Sequence, residues 1–275
     1  MFYYVNPYVN TYFYYTYPYP YIPNNCTSCN NKMKNNYWIL GNKDYQRNEV
    51  KPQDSNEVNL MTQNLTPGKF SISYPFIPKN QPIIGNVPVP ITGTETAGED
   101  REREETIDRL NNAISTKVGT LFKDQVLLPE KVDFSEVYGS FETTLNEKGI
   151  VSILFDVYTY VDKAAHGYTA YNSITFDANT GEIYTFEDLF SPKVNYIPQL
   201  NDIVDAYIKE NNITLLTPFE GVSGEQQFYL TPDSLVIYYQ VYRYTPYYYG
   251  LFKIEIPYSK ITNLIGPTSP IRKLL

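Results

Sequence analysis

Apolar residues recur at steps of three and four through EDREREETIDRLNNAISTKVGTLF, at Ile107, Leu110, Ile114, Val118, Leu121 and Phe122, with acidic residues crowding the first turns. That spacing predicts an amphipathic helix whose N-terminal dipole is met by carboxylates. A second stripe, Ile197, Leu200, Ile203, Val204, Tyr207 and Ile208, predicts another helix, with Pro198 in its first turn where no amide is needed. Elsewhere the period is two. FSISYPFIP places Phe70, Ile72 and Tyr74 on one face and ends at prolines. GIVSILFDVYTYV alternates Val151, Ile153, Phe155 and Val157 with Ser152, Leu154, Asp156 and Tyr158. FSEVYGSFETTL precedes it across a turn at Asn146 to Gly149. YNSITFDANTGEIYTF sets Ile174 and Phe176 against Ile183 and Tyr184 around a turn that suits Gly181 at positive φ.

The last pattern is a hairpin. Leu235, Ile237, Tyr239 and Val241 alternate with Val236, Tyr238, Gln240, Tyr242 and Tyr244, and after a turn Phe252, Ile254 and Ile256 alternate with Lys253 and Glu255. The order of elements predicts an α+β fold: antiparallel sheet or sheets with two main helices packed on them. A chain of 275 residues is long enough to bury a self-sufficient core.

No such pattern governs the first part of the chain. Residues 1–31 are rich in tyrosine, asparagine and proline, and the first charged residue is Lys32. Residues 32–65 are polar and weakly patterned. Both offer little apolar surface against an ordering cost of ~1–2 kcal/mol per residue, so residues 1–65 are expected to form a disordered tail, with the folded part starting near Lys69. The tract lacks the cationic start and continuous apolar run of an export signal, and no stretch approaches a membrane-spanning helix. With Met1 as the start, the protein is expected to be made in, and initially to stay in, a cytoplasm. Cys26 and Cys29 are the only cysteines. They read as free thiols, as intermolecular crosslinks, or as half of a metal site that two chains would share.

A net charge of −8 and a pI near 4.8 argue against sequence-independent nucleic-acid binding and disfavour anionic lipid, while suiting a basic partner. Catalytic signatures are absent: there is no G-x-S-x-G, P-loop, G-x-G-x-x-G or H-E-x-x-H. His166, the only histidine, has no recognised catalytic companions in DKAAHGYTAY. The acidic residues Asp177, Glu182, Glu187 and Asp188 read as turn-forming and edge charges. No catalytic residue, resident metal or cofactor is therefore expected, and the chain is read as a non-enzyme. The tyrosines at the last hairpin tip are the remaining signal, because exposed tyrosine is a low-entropy contact residue that can also stack on sugar rings.

SISYPFIP, the helix around Ile107 to Asn112, AAHGYTAYNSITFDANTGEIYTFEDLF and FYLTPDSLVIYYQVYRYTPYYYGLFKIEIPYSKI together resemble a tandem of domains of unknown function, types 4163 and 3298. That tandem is found in the extracellular part of the lysozyme-sensing anti-sigma-V factor and the front half of certain peptidoglycan deacetylases. The resemblance spans roughly residues 70–262. It implies subdomains at 66–165 (type 4163) and 166–265 (type 3298), then a tail at 266–275, and a non-catalytic binding module. The ligands it implies are peptidoglycan or a lysozyme-like muramidase, and the tyrosine tract with its paired cysteines adds coat proteins as expected partners. The candidate contact residues are His166, Tyr168, Tyr244, Pro246, Tyr247, Tyr248 and Tyr249, with Cys26 and Cys29 as crosslinking points in a self-associating tail. Together with the missing export signal, this leads to the expectation of a spore-coat or other envelope protein in a Gram-positive spore-former, held in the coat or the mother-cell cytoplasm. A sensor module is the alternative reading, and an enzyme acting on cell-wall sugar the remote one.

Overall fold

The computed structural model describes residues 57–66, 70–79, 97–128 and 132–275. The tyrosine-rich tract and Cys26 and Cys29 lie outside the described residues. Among the described residues the strands form two sheets. The first has the order β1 (Met61–Leu65), β2 (Phe70–Phe76), β3 (Phe134–Glu147), β4 (Ile150–Val161) and β5 (Tyr168–Asp177). Its neighbours pair antiparallel except β2 and β3, which run parallel. The long helix α1 (Ala97–Phe122) lies between those two in sequence, as a parallel crossover requires.

The predicted helix face and strand faces meet. Ile107, Leu110, Ile114, Val118 and Leu121 of α1 pack on Val151, Ile153, Phe155 and Val157 of β4, with Ile72, Val137, Ile174 and Phe176 beside them. Each fully buried aliphatic chain contributes about 1.5–3 kcal/mol, so this layer is a core in its own right. A single π turn, Lys123–Leu127, continues and widens the end of α1, with Leu128 N–H donating to Lys123 O at 2.8 Å.

The second sheet contains β6 (Phe228–Leu230), β7 (Ser234–Tyr239) and β8 (Phe252–Pro257). One face, with Leu235, Ile237, Phe252, Ile254 and Ile256, packs under α2 (Ile197–Glu210) through Leu200 and Val204. On the other face, Val236, Tyr238 and Tyr229 sit on Leu154, on the side of the first sheet away from α1. Side chains stitch the two sheets together. Ser152 Oγ accepts from Leu230 N–H at 3.0 Å, Tyr238 O–H donates to Ser173 Oγ at 2.9 Å, and the Gln240 amide bonds both N–H and C=O of Tyr171 at 3.0 and 2.8 Å.

Two boundaries differ from the sequence reading. The fold includes the segment from Glu57 and the strand β1, both expected in the tail. Asn146 clamps Val58 through N–H to Oδ1 at 2.7 Å and Nδ2 to O at 2.9 Å, and Asn111 holds Ile77 the same way at 2.8 and 2.9 Å. Hydrophobic pattern cannot reveal order that polar side chains impose on a distant backbone. At the other end, residues 266–275 are no tail: Ser269 and Ile271 are buried and the short helix α3 (Ile271–Leu274) docks on the domain. Lys273 Nζ pairs there with the Asp177 carboxylate, which is 1 % exposed. Gly181 has φ 70° as its turn requires, and Arg109 of α1 caps that turn through the Thr180 carbonyl at 2.8 Å.

Candidate functional site

The loop from Asp162 to Gly167, between β4 and β5, meets the long connection between β7 and β8. The His166 ring stacks on Tyr247 with centroids 3.9 Å apart and planes 15° apart. Its Nδ1 lies 2.8 Å from the Gly167 carbonyl, which can only accept, so Nδ1 carries the proton. In the neutral ring Nε2 is then the acceptor, and Tyr242 O–H donates to it at 3.0 Å. Tyr242 itself has φ 70°, a left-handed conformation that a bulky residue adopts only when its surroundings impose it. Gly167 is equally constrained: a Cβ there would come within 2.2 Å of the Tyr158 ring.

The structure separates the tip residues of the sequence reading. Tyr247, Tyr248 and Tyr249 form a 3-10 turn after Pro246, closed by Gly250 at φ 74°. Tyr248 is 77 % exposed and Tyr249 is partly exposed. Tyr244 belongs to the core instead. It is buried against Phe219, Tyr239 and Phe252, and its hydroxyl accepts from Glu220 N–H at 3.3 Å. The alternation of β7 stops at Tyr239, and the connection turns back, so Tyr244 faces inward. Tyr168 packs partly buried toward the α1 core.

Below this rim lies the outward face of β3, β4 and β5, which the sequence reading did not single out. Register places Asp156 between Ser140 on β3 and Tyr171 on β5, and Tyr158 opposite Tyr138. Ser140 O–H donates to Asp156 Oδ1 at 2.6 Å, and the Tyr138 and Tyr158 rings stack at 6.5 Å. Burial raises the Asp156 pKa, Ser140 opposes the shift, and Glu142 adds to it. Tyr171 is pushed up to about 12 by burial and then by Asp156, Tyr247 and Tyr168. Its hydroxyl thus lies in the field of both the sheet face and the tip loop. An aspartate mid-strand among outward tyrosines was the available signal.

The acidic run reads as structure. Asp188 accepts from Thr185 N–H and Oγ1 at 2.7 and 2.6 Å, and Asp177 binds Lys273 and the Asn179 amide. Among the described residues no three His, Cys, Asp or Glu side chains gather to hold a metal ion, and no helix is long and apolar enough to cross a membrane.

Residues 187–259 match the family model described as Protein of unknown function (DUF3298). Tyr242 to Tyr249 fall within it, while His166, Asp156 and Tyr171 lie outside. The chain is similar to the anti-sigma-V factor RsiV of Bacillus subtilis (strain 168), at 26% identity over 211 residues, 67% of this chain and 73% of that one. Two solved structures are also similar. A DUF3298 family protein of Bacteroides fragilis NCTC 9343 shares 15% identity at a TM-score of 0.47, over 82% of this chain and 99% of that one. A DUF3298 family protein of Pseudomonas aeruginosa PAO1 shares 16% at 0.48, over 79% and 98%.

Proposed function

We propose that this chain is a non-catalytic binding module of a bacterial envelope and that its contact surface is the aromatic rim at Pro246 to Tyr249, braced by His166 and Tyr242. The observation that carries this reading is a highly exposed Tyr248 on a loop whose neighbour Tyr247 is stacked on His166. An aromatic held in place before contact loses little entropy on binding, which is the usual character of an interface anchor. The DUF3298 match and the similarity to an anti-sigma factor support a sensor or binding role.

In the finer reading, the ligand is a lysozyme-like muramidase or peptidoglycan. The part ahead of residue 166 is a type 4163 subdomain, and the protein is deposited in the spore coat from the mother-cell cytoplasm. The uncharged tyrosine tract with Cys26 and Cys29 suits self-association there. Retention of the full chain on immobilised lysozyme and on purified sacculi tests the binding reading: retention on one of them, lost in Tyr248→Ala, is expected, and retention on neither overturns it. A tagged copy that stays soluble in vegetative cells and is missing from fractionated spores would overturn the coat assignment.

A further inference from the structure

Two acidic side chains on the strands of the first sheet, Asp177 buried and Asp156 half-buried, are treated differently by the fold. Asp177, at the end of β5, is given Lys273 from α3. Asp156, in the middle of β4, has Ser140 as its hydrogen-bond partner, and among the described residues no lysine or arginine pairs with it. Its neighbours add negative charge or aromatic surface: Glu142 on β3, Tyr171 directly across on β5, and the stacked Tyr138 and Tyr158 one register step along. Tyr138, at the edge of this face, is 47 % exposed, and Asp156, Tyr158 and Tyr171 are half-buried.

We infer that this face, with Asp156 at its centre, Ser140 and Tyr171 beside it and Tyr138, Tyr158 and Tyr247 as its aromatic rim, takes the guanidinium of an arginine side chain presented by a basic polypeptide. The planar cation suits the surroundings on two counts. Its N–H fork donates to a carboxylate already oriented by Ser140, and its flat face stacks on tyrosine, where the ring quadrupole attracts positive charge. A carboxylate partly stripped of water gains more from such a partner than a solvated one does. The chain's net charge of −8 draws a basic ligand toward it from a distance. A neutral, N-acetylated glycan chain would use the same tyrosines but has no cation to neutralise Asp156. The inference rests on the binding-module reading and specifies the ligand's chemistry at a place next to, and separable from, the Tyr248 tip.

Titration of the full-length protein with N-acetyl-arginine amide, followed by backbone amide shifts, tests it, with the citrulline and lysine analogues as controls. Saturable shifts at Ser140, Asp156 and Tyr171 are expected, about tenfold weaker or more with neutral citrulline, and abolished in Asp156→Asn. Ser140→Ala, which leaves the carboxylate in place but unsteadied, should weaken them less. No saturable shift, equal binding of citrulline or lysine amide, or unchanged shifts in Asp156→Asn would overturn the inference. Its failure is distinguishable from failure of the wider reading. If Tyr248→Ala abolishes retention on lysozyme or sacculi and Asp156→Asn leaves both titration and retention untouched, the module binds without an arginine site.

Discussion

The imidazole of His166 lies flat on the ring of Tyr247, 3.9 Å between centroids, although the two residues come from loops on different sheets. With the Tyr242 bond to Nε2 at 3.0 Å, this contact ties the tip loop to the β4–β5 loop. His166→Ala should cost about 0.5–1.5 kcal/mol, the scale of one aromatic pair, and loosen the tip. Urea denaturation measures the first effect and ligand affinity the second. Tyr242→Phe keeps the ring and removes only the hydroxyl, so it should retain most of the stability and part of the affinity.

Tyr244 and Tyr248 are four residues apart and should behave oppositely. Tyr244→Ala opens a cavity among Phe219, Tyr239 and Phe252 and is expected to cost about 3–5 kcal/mol. Tyr248→Ala removes a ring that is 77 % exposed, so stability should hold within about 0.5 kcal/mol while affinity falls. Thermal unfolding beside a binding curve separates the two.

Gly167→Ala places a methyl where the Tyr158 ring now sits, at 2.2 Å. The ring is the mobile end of a half-buried side chain, so the fold should survive and the Tyr138–Tyr158 stack should not. A weakened arginine-amide titration with a near-native melting temperature is the expected combination.

Lys273→Met leaves Asp177 buried with one amide partner and should destabilise the protein by about 1–3 kcal/mol. Removing residues 270–275 would do the same and also expose Ile271's site, a result that chemical denaturation would report.

Two pH effects follow from the half-buried Asp156 and from the desolvated tyrosines. The Asp156 pKa is raised by desolvation, with Ser140 opposing and Glu142 reinforcing, and Tyr171 facing it across the sheet. The folded state therefore holds that proton more tightly than the unfolded chain, whose value is about 3.9. Its contribution to stability is complete below that value and is lost as pH rises through the raised one. The difference in stability between Asp156→Asn and wild type should accordingly grow in favour of the variant from acid to neutral pH. Tyr171, pushed up to about 12, and Tyr184, Tyr239 and Tyr258, raised by burial, bring a parallel effect in alkali. Stability should be whole below about pH 10 and decline above it, with unfolding accompanying the ionisation of these tyrosines in ultraviolet absorbance.

Periodicity made the layers legible. The stripe from Ile107 to Phe122 and the alternation from Val151 to Val157 meet in one core because spacings of 3.6 and 2 each put apolar side chains on one face. What periodicity could not carry was contact imposed from afar. Asn146 and Asn111 order the segments around β1 and β2 through their side-chain amides, and Lys273 turns an apparent tail into a docked helix. His166 and the tyrosine tip were each visible in the sequence, but their meeting was not, since seventy-six positions separate His166 from Tyr242. Strand alternation groups Tyr244 with its exposed neighbours, but β7 ends at Tyr239 and the period of two ends with it.

The most direct measurement is the affinity of the full chain for lysozyme and for sacculi, with wild type, Tyr248→Ala and His166→Ala measured side by side. The aromatic rim predicts saturable binding to one of them, weakened about tenfold or more by either substitution, with both variants still folded. No binding to either ligand, or binding that neither substitution alters, would contradict it.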